Sequence, residues 1–512
     1  MLATFIAQAT AGGWKSPSVD YHALAPEIVL AGVVCMVLLL DLFLPEHRKW
    51  MTATLGGFGV LAALIPVLTL AVSSEPARVM FGGAYVVDDF SLLLKALFLI
   101  ATYVVILLST TYVDEGDYYE GEYYVLLLTS ALGMVMMSSS RDLVSIFVAL
   151  EFLSIPAYML AGWRKRDSKS NEASVKYYLL GVLASAVMLY GMSLMYGTTR
   201  TTILAGIADV IHRDGVSSAT ALGIVFVLIG FAFKVSAVPF HQWAPDTYEG
   251  APTPVTAFLS VASKAAGFVA LITLVYVGFP YGLDVWKPLF WVLAVITMTV
   301  GNVLALKQTN IVRMLAYSSV SQGGFIMMPL FVAWKHTPSG ITVNRDSLTA
   351  IVTYLVVYAA MNLGAFGVIL AVSRKTRSGE ISSFGGLFSY APGLAVAMTF
   401  FMGSLAGIPP LGGWIAKFTV IRALAADGSG WAIALAVIGM VNAVIAVGYY
   451  GNILREVWMR PVPDGDDSPI RVPSSLGAAL VICSVATLLF GILPNIILRF
   501  SDKLDLTGVL GL

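Results

Sequence analysis

Charge is scarce in this chain of 512 residues: Asp, Glu, Lys and Arg make up 12% of it, against about 25% in ordinary soluble domains. With 58% hydrophobic residues, an ordinary water-facing surface is excluded for most of its length. Cysteine is nearly absent. Cys35 and Cys483 are the only two. Both fall in apolar runs and are expected to be buried small hydrophobes, with no spacing that suggests an iron–sulfur or zinc site. No phosphate-loop motif occurs. Gly56, Gly57 and Gly59 lie in an apolar segment, without the strand–turn–helix context a dinucleotide site requires. Basic and acidic residues balance at 30 each, which argues against a large basic surface, so no nucleic-acid partner is expected. The N-terminus has no basic region ahead of its short apolar stretch, Leu2–Ala7. A cleaved signal peptide is therefore not expected, despite Ala7-Gln8-Ala9.

What the chain has instead is long apolar runs. A helix needs about 20 apolar residues to cross the hydrocarbon core. That ruler predicts about fourteen spans, near 24–44, 52–72, 89–111, 122–139, 142–162, 172–197, 219–239, 254–278, 286–306, 310–332, 347–373, 391–422, 431–454 and 474–498. The runs are continuous and do not alternate with period two, which excludes a transmembrane barrel. The fold expected is an all-α polytopic membrane protein embedded in a lipid bilayer, with connections too short to hold a soluble domain. Basic clusters at Arg48-Lys49, Arg164–Lys169 and Arg374–Arg377 place those loops on the cytoplasmic side and both termini on the other.

Two spans carry prolines that break them. Pro239 frees the carbonyl of Val235, and Pro245 is expected to do the same to His241; Pro409 and Pro410 free those of Leu405 and Ala406. Broken helices at membrane depth are tolerated only inside protein or along a water-filled cavity. The two breaks are five spans apart. An odd offset sets the copies in opposite senses across the membrane, as in inverted-repeat transporters. The expected organisation is an N-terminal segment 1–23, three helices in 24–121, five-helix repeats 122–278 and 286–457, and a last helix with its tail in 474–512.

Four charged side chains fall inside spans: Glu151, Lys234, Lys264 and Lys417. Each would cost about 2.5–3.5 kcal/mol on insertion scales, roughly 10–14 kcal/mol together. A protein that only sat in lipid would have no use for them, so a charge-handling path is expected. Glu151 is either a neutral hydrogen-bonded carboxyl or the ionised partner of a buried lysine. Burial disfavours the charge of Lys234 and a nearby carboxylate restores it, which makes a switchable proton carrier. Lys264 sits among small residues that allow close helix approach. Lys417 follows the second break and either snorkels or ends the relay. His241, in the first break, is either a structural hydrogen-bonder or a bridge between lysines. Lys95 is expected to snorkel, Asp246 and Glu249 to cap and line the break, and Lys307 and Arg313 to anchor the interface.

The run from Lys234-Val235-Ser236-Ala237-Val238-Pro239-Phe240-His241-Gln242-Trp243-Ala244-Pro245-Asp246 through Pro254 to Ser263-Lys264 resembles a signature of the antiporter-like membrane subunits of respiratory complex I. Arg313-Met314-Leu315-Ala316-Tyr317-Ser318-Ser319 and Gly407-Ile408-Pro409-Pro410-Leu411-Gly412-Gly413 match the same family in the same order. Within it the likeness is to the subunit N (subunit 2) group in its cyanobacterial and plastid form. Ser170–Leu179 carries that likeness, as does Gln322, which stands where many respiratory members have histidine. The resemblance implies that Glu151 and Lys234 form a paired switch, that Lys264 is the central proton carrier and that Lys417 is the distal one. It implies electron transfer from ferredoxin or a reduced nicotinamide to plastoquinone in partner subunits that hold the iron–sulfur clusters. No cofactor is expected in this chain. The partners implied are the other membrane and peripheral subunits, and the location a thylakoid membrane or, alternatively, a bacterial plasma membrane. The competing reading is a cation/proton antiporter subunit independent of redox chemistry.

Overall fold

The computed structural model describes residues 19–73, 76–116, 120–338 and 340–501, with 504 and 506. The apolar stretch at Leu2–Ala7 and most of the N-terminal segment lie outside the described residues. Among the described residues twelve helices are long and apolar enough to span a membrane. They are α1 (Ala25–Phe43), α2 (Trp50–Val72), α3 (Asp89–Glu115), α4 (Glu120–Ser139), α5 (Leu143–Ala161), α6 (Ser168–Thr199), α9 (Thr253–Gly278), α10 (Pro280–Ala305), α11 (Ile311–Val332), α12 (Arg345–Thr376), α15 (Gly430–Met459) and α16 (Ser474–Ile492). Two more spans are interrupted. α7 (Ser218–Lys234) is followed after a break by α8 (Trp243–Gly250), and α13 (Pro392–Ala406) by α14 (Gly412–Asp427). The total matches the fourteen spans expected.

Polar caps start several spans. Asp88 accepts from the Ser91 amide in a capping box on α3; Asp142, Asp167, Ser217, Asn310 and Ser429 cap α5, α6, α7, α11 and α15. Each places a hydrogen-bonding group where the first-turn amides would otherwise be orphaned. Two short antiparallel hairpins connect spans: β1 (Arg78–Met80) with β2 (Tyr85–Val87), and β3 (Trp334–Thr337) with β4 (Gly340–Val343).

Lipid rather than water is the solvent here, so the outside is as apolar as the inside. α1 shows Met36, Leu39, Leu42 and Phe43, and α6 shows Tyr178, Leu179, Leu183 and Tyr190. Cys35 is on this outer surface and only Cys483 is buried, which corrects the expectation for the pair. Its run of apolar neighbours faces lipid, and hydropathy cannot separate that from a core. At the centre α9 is wholly enclosed, packed against α3, α4, α7 and α12 and bonded to α11 through Lys264. Buried polar residues concentrate on α9, α11 and α12: Ser260, Lys264, Ser318, Ser319, Gln322 and Asn362.

The two interruptions share one geometry. α7 closes with Ala237 N–H to Ala232 O (2.8 Å) and Ser236 N–H to Phe233 O (3.0 Å). α13 closes with Ile408 N–H to Gly403 O and Gly407 N–H to Ser404 O, both 2.9 Å. These are Schellman closures. Their left-handed residues are Ser236 (φ 59°) and Gly407 (φ 91°), and a cis peptide to Pro239 or Pro410 follows three residues on in each. α7 thus ends at Lys234 itself, so the lysine borders the break. The carbonyl of His241 is not free either: it accepts from Ala244 N–H at 3.0 Å. Pro245 lies in the first turn of α8, where an amide donor is not needed.

Candidate functional site

Lys234, Lys264 and Lys417 are all buried. None is in an ion pair among the described residues; each donates to neutral oxygens. At the end of α7, Lys234 Nζ donates to Ser154 Oγ (2.9 Å) and Tyr177 OH (3.1 Å). Tyr177 is held by stacking on Trp243, with centroids 4.4 Å apart. Lys264 follows a π-turn over Leu259–Ser263, a local widening often found at functional positions. Its Nζ donates to the Ser319 carbonyl at 2.8 Å and to Ser319 Oγ. Gly267, one turn beyond it, lies against the Lys234 stem: a Cβ there would stand 3.1 Å from Lys234 Cγ. The small residues around Lys264 thus bring α7 and α9 together.

Lys417, on α14, reaches back across the second break to donate to Leu405 O (3.0 Å) and Ala406 O (2.8 Å). Those are the two carbonyls that Pro409 and Pro410 leave without helical donors. The cation also sits at the carbonyl end of α13, where the helix dipole is negative. It does not snorkel. A file of hydrogen bonds on α11, α12 and α15 starts at Ser318, next in the chain to the Ser319 that Lys264 contacts but not bonded to it, and ends on Leu405 O, which Lys417 also reaches. Ser318 Oγ pairs with Tyr450 OH; Gln322 Nε2 donates to Tyr450 OH (3.1 Å) and Leu405 O (3.2 Å); Tyr354 OH donates to Gln322 Oε1. Sequence reading passed over Ser319, Tyr354 and Tyr450. Tyrosines and serines in apolar helices give no signal until a partner is placed beside them.

Glu151 is half-buried on α5 and accepts from Ser185 Oγ at 2.7 Å. It does not touch Lys234. Ser154, which does, stands three residues along the same helix and hence on the same face. His241 is half-buried in the first break, with no hydrogen-bond partner at Nδ1 and no contact to either lysine among the described residues.

The charges around α8 form a separate ion cluster. Asp246 pairs with Lys176 (2.7 Å) and Arg313 (2.8 Å), and Glu249 with Lys169 (2.9 Å) and Arg313 (3.0 Å). Arg313 therefore ties α8 to α11, and is not the interface anchor expected from its place near a turn. Each carboxylate accepts from a lysine and from the Arg313 guanidinium, and it keeps those charged partners only while it is ionised. Arg313→Gln is expected to lower the thermal midpoint of the purified protein near neutral pH. The gap from wild type should close on acidification below the ordinary carboxylate range; a gap that persists there would assign Arg313's role to packing.

A family described as NADH:quinone oxidoreductase/Mrp antiporter, TM, matches residues 140–445. The chain is 39% identical over 492 residues to NADH-quinone oxidoreductase subunit N of Trichlorobacter lovleyi, covering 95% of this chain and 97% of that one. It is 39% identical over 486 residues to NAD(P)H-quinone oxidoreductase subunit 2 of Thermosynechococcus vestitus, covering 92% and 90%. Among solved structures, a chain of respiratory complex I from Thermus thermophilus superposes with TM-score 0.76 at 30% identity, over 93% of this chain and 98% of that one.

Proposed function

Because this chain belongs to the NADH:quinone oxidoreductase/Mrp antiporter family of transmembrane subunits, in the subunit N group, we propose that it moves protons through the buried row Lys234, Lys264 and Lys417. One observation carries the reading: three buried lysines bonded only to neutral oxygens. Among the described residues no carboxylate contacts any of the three to favour its charged form. A hydroxyl both accepts and donates, so Ser154, Tyr177 and Ser319 can serve the ammonium and then turn to serve the neutral amine. Each lysine can therefore give up its proton without orphaning a buried carboxylate. The Ser318–Tyr450–Gln322 file would join the central lysine to the distal one, and Gln322, which cannot ionise, would act there by hydrogen bonding alone. The resemblance between the two breaks supports the pairing of repeats 122–278 and 286–457.

Glu151 would act on Lys234 through space, from the same helix face that carries Ser154. Glu151→Gln keeps an acceptor for Ser185 and removes the charge. The pH dependence of coupled turnover is expected to shift at unchanged assembly, and a profile superimposable on wild type would count against a role for that charge.

The chain itself would carry no electron. The complex would take electrons from ferredoxin or a reduced nicotinamide onto iron–sulfur clusters in partner subunits and deliver them to a quinone. The likeness at Ser170–Leu179 and Gln322 to cyanobacterial and plastid members favours plastoquinone and a thylakoid membrane, with a bacterial plasma membrane as the alternative setting. Purification in mild detergent through a tag on this chain, then donor-driven reduction of plastoquinone and of menaquinone, tests this. A large particle with iron–sulfur subunits that prefers plastoquinone is expected. A preference for menaquinone would move the protein to the plasma membrane. A small particle without redox activity would favour the antiporter reading that the family's breadth keeps open.

A further inference from the structure

A second buried charge site lies in the first three helices, outside residues 140–445 except for Arg141. Lys95 is wholly buried on α3, and its ammonium lies 2.7 Å from Glu27 Oε1 on α1. This corrects the expectation that Lys95 snorkels. Its depth, about 9 Å below the start of α3 at 1.5 Å per residue, is within reach of the surface, yet a carboxylate on the neighbouring helix holds it inside. Tyr85, on β2, donates to the same Glu27 oxygen at 2.6 Å. Beside it Arg141 pairs with Asp88 at 2.9 Å, both buried. Among the described residues the hydrogen-bonding capacity is not filled: Glu27 Oε2 and Arg141 Nε have no partner, and Lys95 makes no well-directed hydrogen bond besides its ion pair.

A buried ion pair left this incompletely bonded is a poor stabiliser; apolar residues of the same volume often do as well or better. Its position suggests a use. Glu27 is in the first turn of α1 and its side chain keeps 12% exposure, so the carboxyl has a route to the face where α1 and α3 begin. α3 also packs against the first part of α9 and the π-turn ahead of Lys264. Inward from Lys95, the buried α3 side chains Thr102 and Ser109 repeat at seven-residue spacing on one face.

We propose that Glu27 and Lys95 form a proton-exchange site between the central lysine row and that face of the membrane. In the exchange an N–H bond of the Lys95 ammonium breaks and an O–H bond forms on Glu27, leaving a neutral amine and a neutral acid. The acid releases its proton to water at the face, and the amine takes a proton from the inner side. No other atom or electron moves. The inference rests on the proton-translocation reading, so Lys264→Met in the same complex is the reference.

Lys95→Arg separates the roles, because a guanidinium keeps the charge and the ion pair but does not release its proton. Each variant is assembled into the complex, reconstituted in liposomes, and read for protons moved per quinone reduced. The site predicts normal assembly with loss of proton movement for Lys95→Arg. The double variant Glu27→Gln with Lys95→Met leaves no orphaned charge and is expected to lose it as well. The double variant decides the matter if arginine is too large to assemble. Wild-type stoichiometry in an assembled variant, with Lys264→Met inactive, overturns the site alone. Wild-type stoichiometry in Lys264→Met overturns the lysine row itself.

Discussion

Replacing Lys264 with Met is expected to abolish proton movement while leaving an assembled complex. Met nearly matches the lysine stem in volume and fills the enclosed position on α9. It also removes a charge whose burial opposes insertion by about 2.5–3.5 kcal/mol. Among the described residues the only groups that lose a donor are the Ser319 carbonyl and hydroxyl, and that carbonyl lies inside α11, where the helix supplies its own amide. Stability should therefore be unchanged or raised, and the loss confined to function. Proton uptake into liposomes during quinone reduction measures it. Retained pumping at normal assembly would make this chain a spacer between other subunits.

Lys417→Met is expected to fail differently. Here the side chain is also the donor to Leu405 O and Ala406 O, at 3.0 and 2.8 Å. Hydrogen bonds from a charged donor contribute about 1.5–3 kcal/mol each, so losing two costs about 3–6 kcal/mol. Gln322 still reaches Leu405 O at 3.2 Å, but no other side chain covers Ala406 O among the described residues. Lower yield and a lower thermal midpoint should accompany lost pumping. Lys417→Arg keeps donors and charge while remaining protonated, so it should restore yield and midpoint without restoring pumping. If the arginine variant pumps, Lys417 is a structural plug in the second break and the row ends at Gln322.

The spans, the breaks and the buried lysines were legible in the sequence because each has a local cause. Twenty apolar residues, a missing amide at proline and a charge in an apolar run are properties of short stretches of chain. Pro409 and Pro410 even named the carbonyls that Lys417 was found to satisfy. Local reasoning failed where a residue's partner lay on another helix. Lys95 reads as a snorkelling residue until Glu27, on α1, is brought to 2.7 Å. Arg313 reads as an interface anchor until α8 delivers Asp246 and Glu249 to it.

An all-α membrane protein with two interrupted spans and charges held within the bilayer can be read from residue order alone. Hydropathy and proline chemistry act along the chain and need no partner. Which charges are paired was set by packing. It left Lys234, Lys264 and Lys417 facing hydroxyls and carbonyls, kept Glu151 out of contact with Lys234, and joined Lys95 to Glu27. In a low-dielectric interior the behaviour of a charge depends on the few atoms within about 4 Å of it. Those atoms come from helices far apart in the chain, and only packing brings them together.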